Sequence, residues 1–355
     1  MRTYGLNYFF SGRAHTTEST VVLSQSPVDS LQSTRHTDSP SKRRPFDIII
    51  PTWRRSPTLQ ETIDVLLRQC REQDCIFIVS QGKIRPSIKP DSRVKVLHCR
   101  VPNLPAARNA GLRAGNSPLV LYIDDDCLVK PGLLDAHASC YHDNLIGAVA
   151  GYVDDPLFSG LTTKVPSFFN PATGELIQHF NLPLSQPSLS VMGANMSFLR
   201  TALEIVNGFD ENYLHNAIWE EIDVSFRIRH AGFAIHYCSL AKVRHLRQPD
   251  GGCRHDPLLC DLYHQFANTA YFACTFASLH HVVTWIKFWI YRLEYLSRGN
   301  AAKKNTGRIR HDLLSLIAGT IGIAAGCGRF LIHGKRRGPN INTPCGIRQM
   351  SRRST

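Results

Sequence analysis

Short apolar runs alternate with segments of helical periodicity through the first half of the chain. The apolar runs lie at 46–50, 75–79, 93–97 and 119–123. Runs of this length, rich in β-branched residues, are typical of strands buried in a sheet. Between them, apolar residues recur at helical spacing over 59–67 and 106–114. Strand, helix, strand in this order predicts an α/β domain with a parallel sheet that is covered by helices on both faces.

The second half of the chain continues the pattern after a less regular stretch. Residues 145–187 are strand-like, rich in loops and prolines, and predict no definite element. Beyond them the pattern predicts a strand at 191–198, a short helix at 200–206, a turn at 207–210, a helix at 220–231 that ends at Gly232, and a strand at 233–237 that leads to Arg244-His245.

Composition divides the chain into four parts. Residues 1–45 are rich in Ser, Thr and Gln and show little periodicity, which predicts a disordered extension. The α/β pattern occupies residues 46–256. A helical segment of aromatic and basic residues follows at 257–300, and a basic, partly apolar tail occupies 301–355.

The net charge of +13 is unevenly distributed. Residues 1–45 carry 6 Lys or Arg and 3 Asp or Glu, residues 46–297 carry 23 and 24, and residues 298–355 carry 12 and 1, so the net charges are +3, −1 and +11. The neutral body argues against a nucleic-acid partner, and the basic tail predicts attraction to an anionic membrane surface.

Two apolar segments near the carboxyl end bear on membrane contact. The aromatic and basic residues at 282–298 are typical either of a helix in a membrane interface or of a helix packed on the domain. The uncharged run at 313–327 is shorter than the roughly twenty residues that span a bilayer. Because the chain also shows no signal-peptide pattern and no CxxC pair among its 11 cysteines, we expect a reduced cytoplasmic protein, peripheral at the inner face of the membrane.

Four residues of metal-ligand type lie close together at Cys253, His255, Cys260 and His264. Their spacing matches no common zinc module. The favoured interpretation is a loop followed by ordinary helix residues, with a structural zinc site as the alternative.

Three aspartates, Asp124, Asp125 and Asp126, directly follow the apolar run at 119–123. Ligands of open α/β sheets bind beyond the carboxyl ends of the strands, which is where this triplet is expected. The carboxylates repel one another, and a hard cation such as Mg²⁺ or Mn²⁺ relieves that repulsion. A solvated acidic turn is the alternative.

A second acidic cluster, Glu220, Glu221 and Asp223, opens the helix at 220–231. Acids in a first turn also favour the helix macrodipole, so capping explains them equally well. Together, however, the two clusters suit the splitting of a sugar from a nucleotide diphosphate. One cluster can hold a cation on the phosphates and the other can take a proton from the attacking hydroxyl.

Five segments in this order resemble the successive signatures of the family 2 inverting glycosyltransferases, including rhamnosyltransferase-like members. They are Phe46 to Arg55 (FDIIIPTWRR), Asn103 to Leu112 (NLPAARNAGL), Ile123 to Asp126 (IDDD), Gly208 to Glu211 (GFDE) and Glu220 to Arg227 (EEIDVSFR). The resemblance covers roughly residues 46–250 and implies a GT-A fold, a mixed and mostly parallel sheet between helices. It also implies transfer of a hexosyl group from a nucleoside-diphosphate sugar to a hydroxyl of a glycan or lipid-linked acceptor.

The resemblance also assigns roles to individual residues. It implies that Asp126, with Asp124 and His245, holds Mn²⁺ or Mg²⁺, although a histidine after a strand is also often structural. Glu221 matches the general base, with Asp223 or Glu220 as alternatives. The implied donor-binding residues are Pro51, Thr52, Arg54, Gln81, Arg108, Asp124 and Asp125.

Two departures from the family pattern limit these assignments. The base position usually holds Asp, and Glu221 is longer by one methylene. Where many members have an acidic residue after the second strand, this chain has Ser80-Gln81, which offers only neutral hydrogen bonds to the nucleotide base.

Two other functions compete with glycosyl transfer. A sugar nucleotidyltransferase also joins an α/β nucleotide site to Asp-bound Mg²⁺, but it needs a glycine-rich loop after the first strand, and residues 52–56 contain no glycine. A non-catalytic scaffold at the membrane is the other alternative, which the intact set of acids disfavours.

Overall fold

The computed structural model describes residues 43–53, 57–82, 86–158, 163–170, 174–215, 217–247, 258–276 and 306–333. Its strands are β1 (Phe46–Trp53), β2 (Cys75–Gln81), β3 (Val94–Cys99), β4 (Leu119–Ile123), β5 (Cys127–Val129), β6 (Ile146–Asp154), β7 (Ser167–Asn170), β8 (Glu175–Gln178), β9 (Gln186–Pro187), β10 (Asn195–Leu199) and β11 (Ala234–His245). Its α-helices are α1 (Leu59–Leu67), α2 (Leu104–Ala114), α3 (Leu133–Ser139), α4 (Arg200–Ile205), α5 (Glu220–His230), α6 (Leu258–Phe276) and α7 (Thr306–His333).

One mixed sheet forms the centre of the molecule. Its strand order is β3-β2-β1-β4-β10-β6-β11-β5, and β9 also pairs with β11. Strands β1, β2, β3, β4, β6 and β11 run in one direction, and β5, β9 and β10 run against them. The predicted α/β class with a mostly parallel sheet is confirmed.

The carboxyl ends of β1 and β4 lie beside the acidic triplet. All five residues of β4 are buried, as expected of a central parallel strand. The sequence predicts that β1 stops at Pro51, but the strand continues to Trp53. Beyond Ile49, β1 pairs only with β2. A proline, which has no amide hydrogen to donate, is therefore tolerated there.

Strand β10 is shorter than the predicted strand at 191–198. The chain turns just before it, where the Asn195 amide donates to the Met192 carbonyl at 3.0 Å. From Asn195 onward the strand runs antiparallel between β4 and β6. The turn keeps Gly193 out of the sheet and beside Arg108, whose Nη2 lies 3.4 Å from the Gly193 carbonyl oxygen.

Strand β11 extends through the twelve residues Ala234–His245, well past the predicted strand at 233–237. Most of it runs parallel to β6, and its last three residues pair antiparallel with β5. This pairing sets His245 opposite Cys127. The end of β11 therefore lies directly beside the acidic triplet.

Helices α6 and α7 pack closely where α7 carries glycines. A Cβ added to Gly322 would lie 2.4 Å from the Tyr263 carbonyl oxygen, and one added to Gly326 would lie 2.1 Å from the Ala267 carbonyl oxygen. Only glycine permits this separation of the two backbones. Farther along α7, Arg329 Nη1 donates to the Asn212 carbonyl at 2.8 Å and so ties the helix pair to the chain before α5. None of the described helices combines the length and apolar character needed to cross a bilayer.

Several predictions concern residues outside the described ones. They include most of the extension at 1–45, Arg54, the segment 277–305 and the end of the basic tail. The domain boundaries stay predictions. Ordered packing nevertheless begins before Phe46, since Arg43 is ion-paired with the buried Asp74.

Candidate active site

The acidic triplet lies at the carboxyl end of β4, beside the end of β1. Thr52 Oγ1 donates to Asp125 Oδ2 at 2.6 Å, and Thr58 Oγ1 donates to the Asp125 carbonyl at 3.1 Å. The middle aspartate is thus tied to the segments around the end of β1. Asp124 retains partial exposure, with 31% of its side chain accessible, whereas Asp126 is 5% accessible.

Asp126 and His245 form a buried pair. His245 Nε2 lies 3.1 Å from Asp126 Oδ1, and His245 Nδ1 lies 2.9 Å from Asp155 Oδ2. Arg247 Nε donates to both carboxylate oxygens of Asp155 at 2.7 and 2.8 Å. Burial alone would lower the pKa of His245, but hydrogen bonds to Asp126 and Asp155 raise it to about 9.

These residues fit a divalent cation. Cation–ligand bonds of about 2.1 Å place adjacent ligand atoms of an octahedron about 3 Å apart. The 3.1 Å between Asp126 Oδ1 and His245 Nε2 matches that spacing. Asp155 fixes the orientation of the imidazole, as outer carboxylates do for metal-bound histidines. Asp124 lies close enough to raise the pKa of His245 further.

Arg108 connects the triplet to the start of α5. Its guanidinium is 2% exposed, is ion-paired with the buried Glu220, and lies 3.5 Å from Asp124 Oδ1. It also lies over the ring of Phe209, with 5.5 Å to the centroid. A buried cation between two carboxylates from different elements holds the two acidic clusters at one place.

Glu221 faces the same group of charges. Burial raises the pKa of its carboxyl above the usual value, the positive charge of Arg108 opposes that rise, and the negative charge of Asp124 adds to it. No ion pair within 4 Å involves Glu221 among the residues that the structure describes. The carboxyl of Glu221 is therefore electrostatically coupled to Asp124 without being held in an ion pair.

Asp223 has a different environment on the same helix. Arg227 Nε donates to its Oδ1 at 2.5 Å, and the Tyr213 hydroxyl donates to its Oδ2 at 3.2 Å. Arg227 also donates to the carbonyls of Val206 and Gly208 at 2.6 and 2.7 Å. Burial raises the pKa of Asp223 to about 6, against the opposing effect of Arg227. These contacts fasten α5 to the preceding turn.

The chain enters α5 through an unusual backbone turn. His215, Ala217 and Trp219 have φ angles of 62°, 50° and 81°, in the left-handed region that residues with a Cβ rarely adopt. The indole of Trp219 holds this turn, because Nε1 donates to Thr269 Oγ1 at 2.8 Å and the ring stacks on Phe272 at 4.7 Å. Helix α6 thus supports the residues that precede Glu220 and Glu221.

Comparison with known proteins gives a match for the segment that carries the acidic triplet and Arg108. The profile described as glycosyl transferase family 2 matches residues 47–203. This segment therefore resembles glycosyltransferase family 2. The mixed, mostly parallel sheet around the acidic triplet agrees with the architecture that the resemblance implies.

The curated proteins similar to this chain are distant relatives. One is the uncharacterized glycosyltransferase EpsJ of Bacillus subtilis, 31% identical over 93 residues, which are 24% of this chain and 27% of EpsJ. Another is the pre-mycofactocin glycosyltransferase of Mycobacterium tuberculosis, 25% identical over 220 residues, which are 57% of this chain and 43% of that protein. The chain thus spans less than half the length of the curated relatives that it matches.

Solved structures are also similar to this chain, at low sequence identity. The mannosyltransferase PcManGT of Pyrobaculum calidifontis, in complex with GDP-Man and Mn²⁺, is 14% identical with a TM-score of 0.48 and covers 83% of this chain and 89% of its own. The structure of GalNAc-T7 with UDP, GalNAc and Mn²⁺ is 13% identical with a TM-score of 0.48 and covers 70% of this chain and 55% of its own.

The structure brings together most of the residues that the resemblance singles out. Asp124, Asp126, His245, Arg108 and Glu221 form one continuous group. Gln81 lies farther along the strand ends, where its Oε1 accepts from the Asn103 amide at 2.9 Å. Pro51 and Thr52 belong to β1, and Arg54 lies outside the described residues.

Sequence reasoning missed two residues of the site, Asp155 and Arg247. Asp155 directly follows β6, which runs parallel to β4, so its position beyond a strand end is the signal that marks it. The irregular pattern at 145–187 hid that strand. Arg247 follows His245 by two residues, has a φ of 50°, and contacts Asp155 through its Nε.

Proposed function

We propose that this protein is an inverting glycosyltransferase that moves a sugar from a nucleoside-diphosphate sugar to a hydroxyl of a glycan or lipid-linked acceptor. One observation carries the proposal. The buried guanidinium of Arg108 contacts Glu220 and Asp124, so the triplet after β4 and the start of α5 belong to one charged cluster. A metal site and a base in one place are what this transfer requires.

Glu221 is the general base of this proposal. Of the three acids at the start of α5, Glu220 is ion-paired with Arg108 and Asp223 with Arg227. Glu221 keeps a carboxyl whose pKa is raised by burial toward neutral pH, where a general base is most efficient. Its carboxylate takes the proton of the acceptor hydroxyl as that oxygen attacks the anomeric carbon from the face opposite the departing diphosphate, which inverts the configuration.

Asp126 and His245, with Asp124, would hold Mn²⁺ or Mg²⁺ next to the donor. When bound, the cation supplies positive charge to the departing diphosphate. The similar GDP-Man and UDP structures contain Mn²⁺, which supports manganese as the first ion to test. Asp155 and Arg247 position the imidazole of His245 for this role.

Arg108 acts as a positioning residue in this account. Its guanidinium is 2% exposed and engaged by carboxylates, which leaves it little surface for the donor phosphates that the resemblance assigns to it. Instead it is ion-paired with Glu220, and its charge opposes the rise in the pKa of Glu221. Asp223 likewise holds α5 in place through Arg227.

We also propose that α7 attaches the protein peripherally to an anionic membrane surface, where a lipid-linked acceptor would be found. Large apolar side chains remain exposed on this helix at Ile317, Ile321, Leu331 and Ile332. Residues 298–355 carry 12 basic side chains against one acidic one. Flotation of the full chain with anionic and with neutral liposomes tests this, and a chain that stays wholly soluble with both contradicts it.

A thermal-shift panel tests the enzymatic proposal. The full chain is mixed with nucleoside diphosphates and their sugars, with and without Mn²⁺. We expect one donor class to stabilise the protein only when Mn²⁺ is present, by about 2.7 kcal/mol at a hundred times its Kd. Asp126→Asn should lose the manganese-dependent part, and Asp143→Asn, at an exposed position, should keep it. Absence of any diphosphate-specific stabilisation would contradict the proposal.

A further inference from the structure

A second group of metal-ligand side chains lies outside the acidic cluster. His215, in the turn before α5, meets Cys260 and His264 of α6. One potential ligand atom from each of the three residues lies within 4.8 Å of the others, and Cys260 Sγ is 4.0 Å from His215 Nε2. Each residue is half-buried. The chain thus brings together a set of ligands from two distant segments.

The geometry of this group suits one small ion. Cys260 and His264 are four residues apart on α6 and so share one face of the helix. The rings of His215 and His264 are stacked, with 4.5 Å between centroids and 7° between planes. Zinc bonds to sulfur and nitrogen place neighbouring ligand atoms of a tetrahedron about 3.3–3.6 Å apart. Small side-chain rotations would close the 4.0 Å separation to that range.

We propose that His215, Cys260 and His264 bind a zinc ion. A thiolate with two imidazoles is a ligand set for a borderline-soft ion, whereas the carboxylates at Asp124 and Asp126 select a hard ion. The protein therefore has two metal sites of different selectivity. Three protein ligands leave the fourth position of a tetrahedral zinc shell for water or another ligand.

Such an ion would fasten the turn before α5 to α6. His215 lies five residues before Glu220 and has a left-handed φ of 62°. Its ring lies roughly perpendicular to that of Trp53 at the end of β1, and Trp53 follows Thr52, which donates a hydrogen bond to Asp125. The zinc site would thus stabilise the turn before Glu220 and the end of β1, which lead to the two acidic clusters. It would share no ligand with the cation at Asp126.

The sequence alone marked two of the three proposed ligands. Cys260 and His264 belong to the group that the spacing rules did not match to a zinc module, and the third ligand, His215, lies 45 residues before Cys260. Cys253 and His255, the other members of that group, lie outside the described residues. The site depends on the contact between α6 and the turn before α5, which no local spacing reveals.

The test measures zinc directly in the full chain. Protein stripped with a chelator is titrated with Zn²⁺, and the bound metal is quantified after gel filtration. Replacement by Co²⁺ then reports a cysteine ligand through the thiolate-to-cobalt charge-transfer absorption. Two variants remove ligands, Cys260→Ser and His264→Gln. Cys274→Ser is the matched control on the same helix, and Asp126→Asn disables the acidic cluster.

We expect one zinc per chain in the wild type, in Cys274→Ser and in Asp126→Asn. Cys260→Ser and His264→Gln should each weaken zinc binding by more than the roughly 10–100-fold cost of losing an outer-shell partner. Cys260→Ser should also lose the charge-transfer absorption. The proposal is overturned if wild-type protein gives no such absorption, if both ligand variants bind zinc as the wild type does, or if Asp126→Asn abolishes zinc binding. Should one ligand variant not fold, the other decides the result.

Discussion

Asp126 Oδ1 and His245 Nε2 approach to 3.1 Å, although 119 positions separate the two residues in the chain. The antiparallel pairing of β5 with the end of β11 brings them together, since it sets His245 opposite Cys127. The Leu246 amide also donates to the Asp126 carbonyl at 3.0 Å. The metal site that we propose is therefore built by the sheet and does not depend on a flexible loop.

Removal of Asp155 should weaken the metal site without removing a ligand. Asp155→Ala deletes the carboxylate that orients His245, so we expect Mn²⁺ affinity to fall about 10–100-fold. Isothermal titration with Mn²⁺ measures this. The neighbouring Asp154 is exposed, and Asp154→Asn serves as the control that should bind Mn²⁺ normally. Equal affinity in Asp155→Ala and the wild type would show that His245 needs no such support.

Arg108 should control the pH dependence of transfer. Because burial raises the pKa of Glu221, the rate is expected to fall with decreasing pH before an ordinary glutamate would be protonated. Arg108 opposes that rise, so Arg108→Met should raise the pKa of Glu221 further and move the acidic limb of kcat/KM to higher pH.

Arg108→Lys is the control for this prediction, because it retains the positive charge. We expect its acidic limb to stay closer to that of the wild type. Arg108→Met also leaves Glu220 buried without its partner and should cost about 3–5 kcal/mol of stability, so folding is checked by its melting curve. If the acidic limb of kcat/KM lies at the same pH in Arg108→Met and Arg108→Lys, the charge of Arg108 does not control the pKa of Glu221.

His137 should make the fold less stable in acid. Burial lowers its pKa to about 4, against the opposing hydrogen bond in which Nε2 donates to Asn195 Oδ1 at 2.8 Å. The unfolded chain takes up a proton below about pH 6.5, whereas folded His137 stays neutral until about pH 4. Stability from this residue is therefore present above pH 6.5 and is lost as the pH falls, by about 3 kcal/mol in total.

Urea unfolding of the wild type and His137→Gln at pH 7 and pH 4.5 measures this loss. The variant lacks the titrating group, so the difference in unfolding free energy between the two proteins should shrink by about 2–3 kcal/mol at the lower pH. A difference that stays constant across this range would contradict the assignment.

The contact between α6 and α7 predicts opposite effects on stability for two glycine-to-alanine changes in α7. Gly326→Ala places a Cβ 2.1 Å from the Ala267 carbonyl oxygen, so we expect a loss of about 1–3 kcal/mol through overpacking. Gly328 lies on the same helix with nothing within 4 Å of its added Cβ. Gly328→Ala should therefore raise stability, by up to about 1 kcal/mol through helix propensity. Equal effects of the two changes on the melting temperature would argue against the close packing.

The sequence predicted the parts of the fold that local patterns specify. The apolar run of β4 gave its observed bounds, and the acids that follow it lie at the sheet edge as expected. The alternation in 93–97 and the helical spacing in 106–114 found β3 and α2 to within two residues at each end. These elements are buried along their whole length or on one face, which is the property that hydrophobic periodicity reports.

What the sequence did not predict depends on contacts between distant segments. Asp155 has no local motif, and its role appears only once β6 is seen to run parallel to β4 and β11. The partners of Arg108 were also missed, since the motif suggested phosphates where the structure has Glu220 and Asp124. The twelve-residue length of β11 required the pairing with β5, which no single-strand pattern indicates.

The most direct test of the account compares Glu221→Gln with the wild type in donor binding and in single-turnover transfer. The amide keeps the size of the side chain and loses the ability to accept a proton. We expect donor and Mn²⁺ binding to stay within about threefold of the wild type and transfer to fall about 10²–10⁴-fold, the usual contribution of a general base. Transfer at the wild-type rate in Glu221→Gln would contradict the central claim that this carboxylate activates the acceptor hydroxyl.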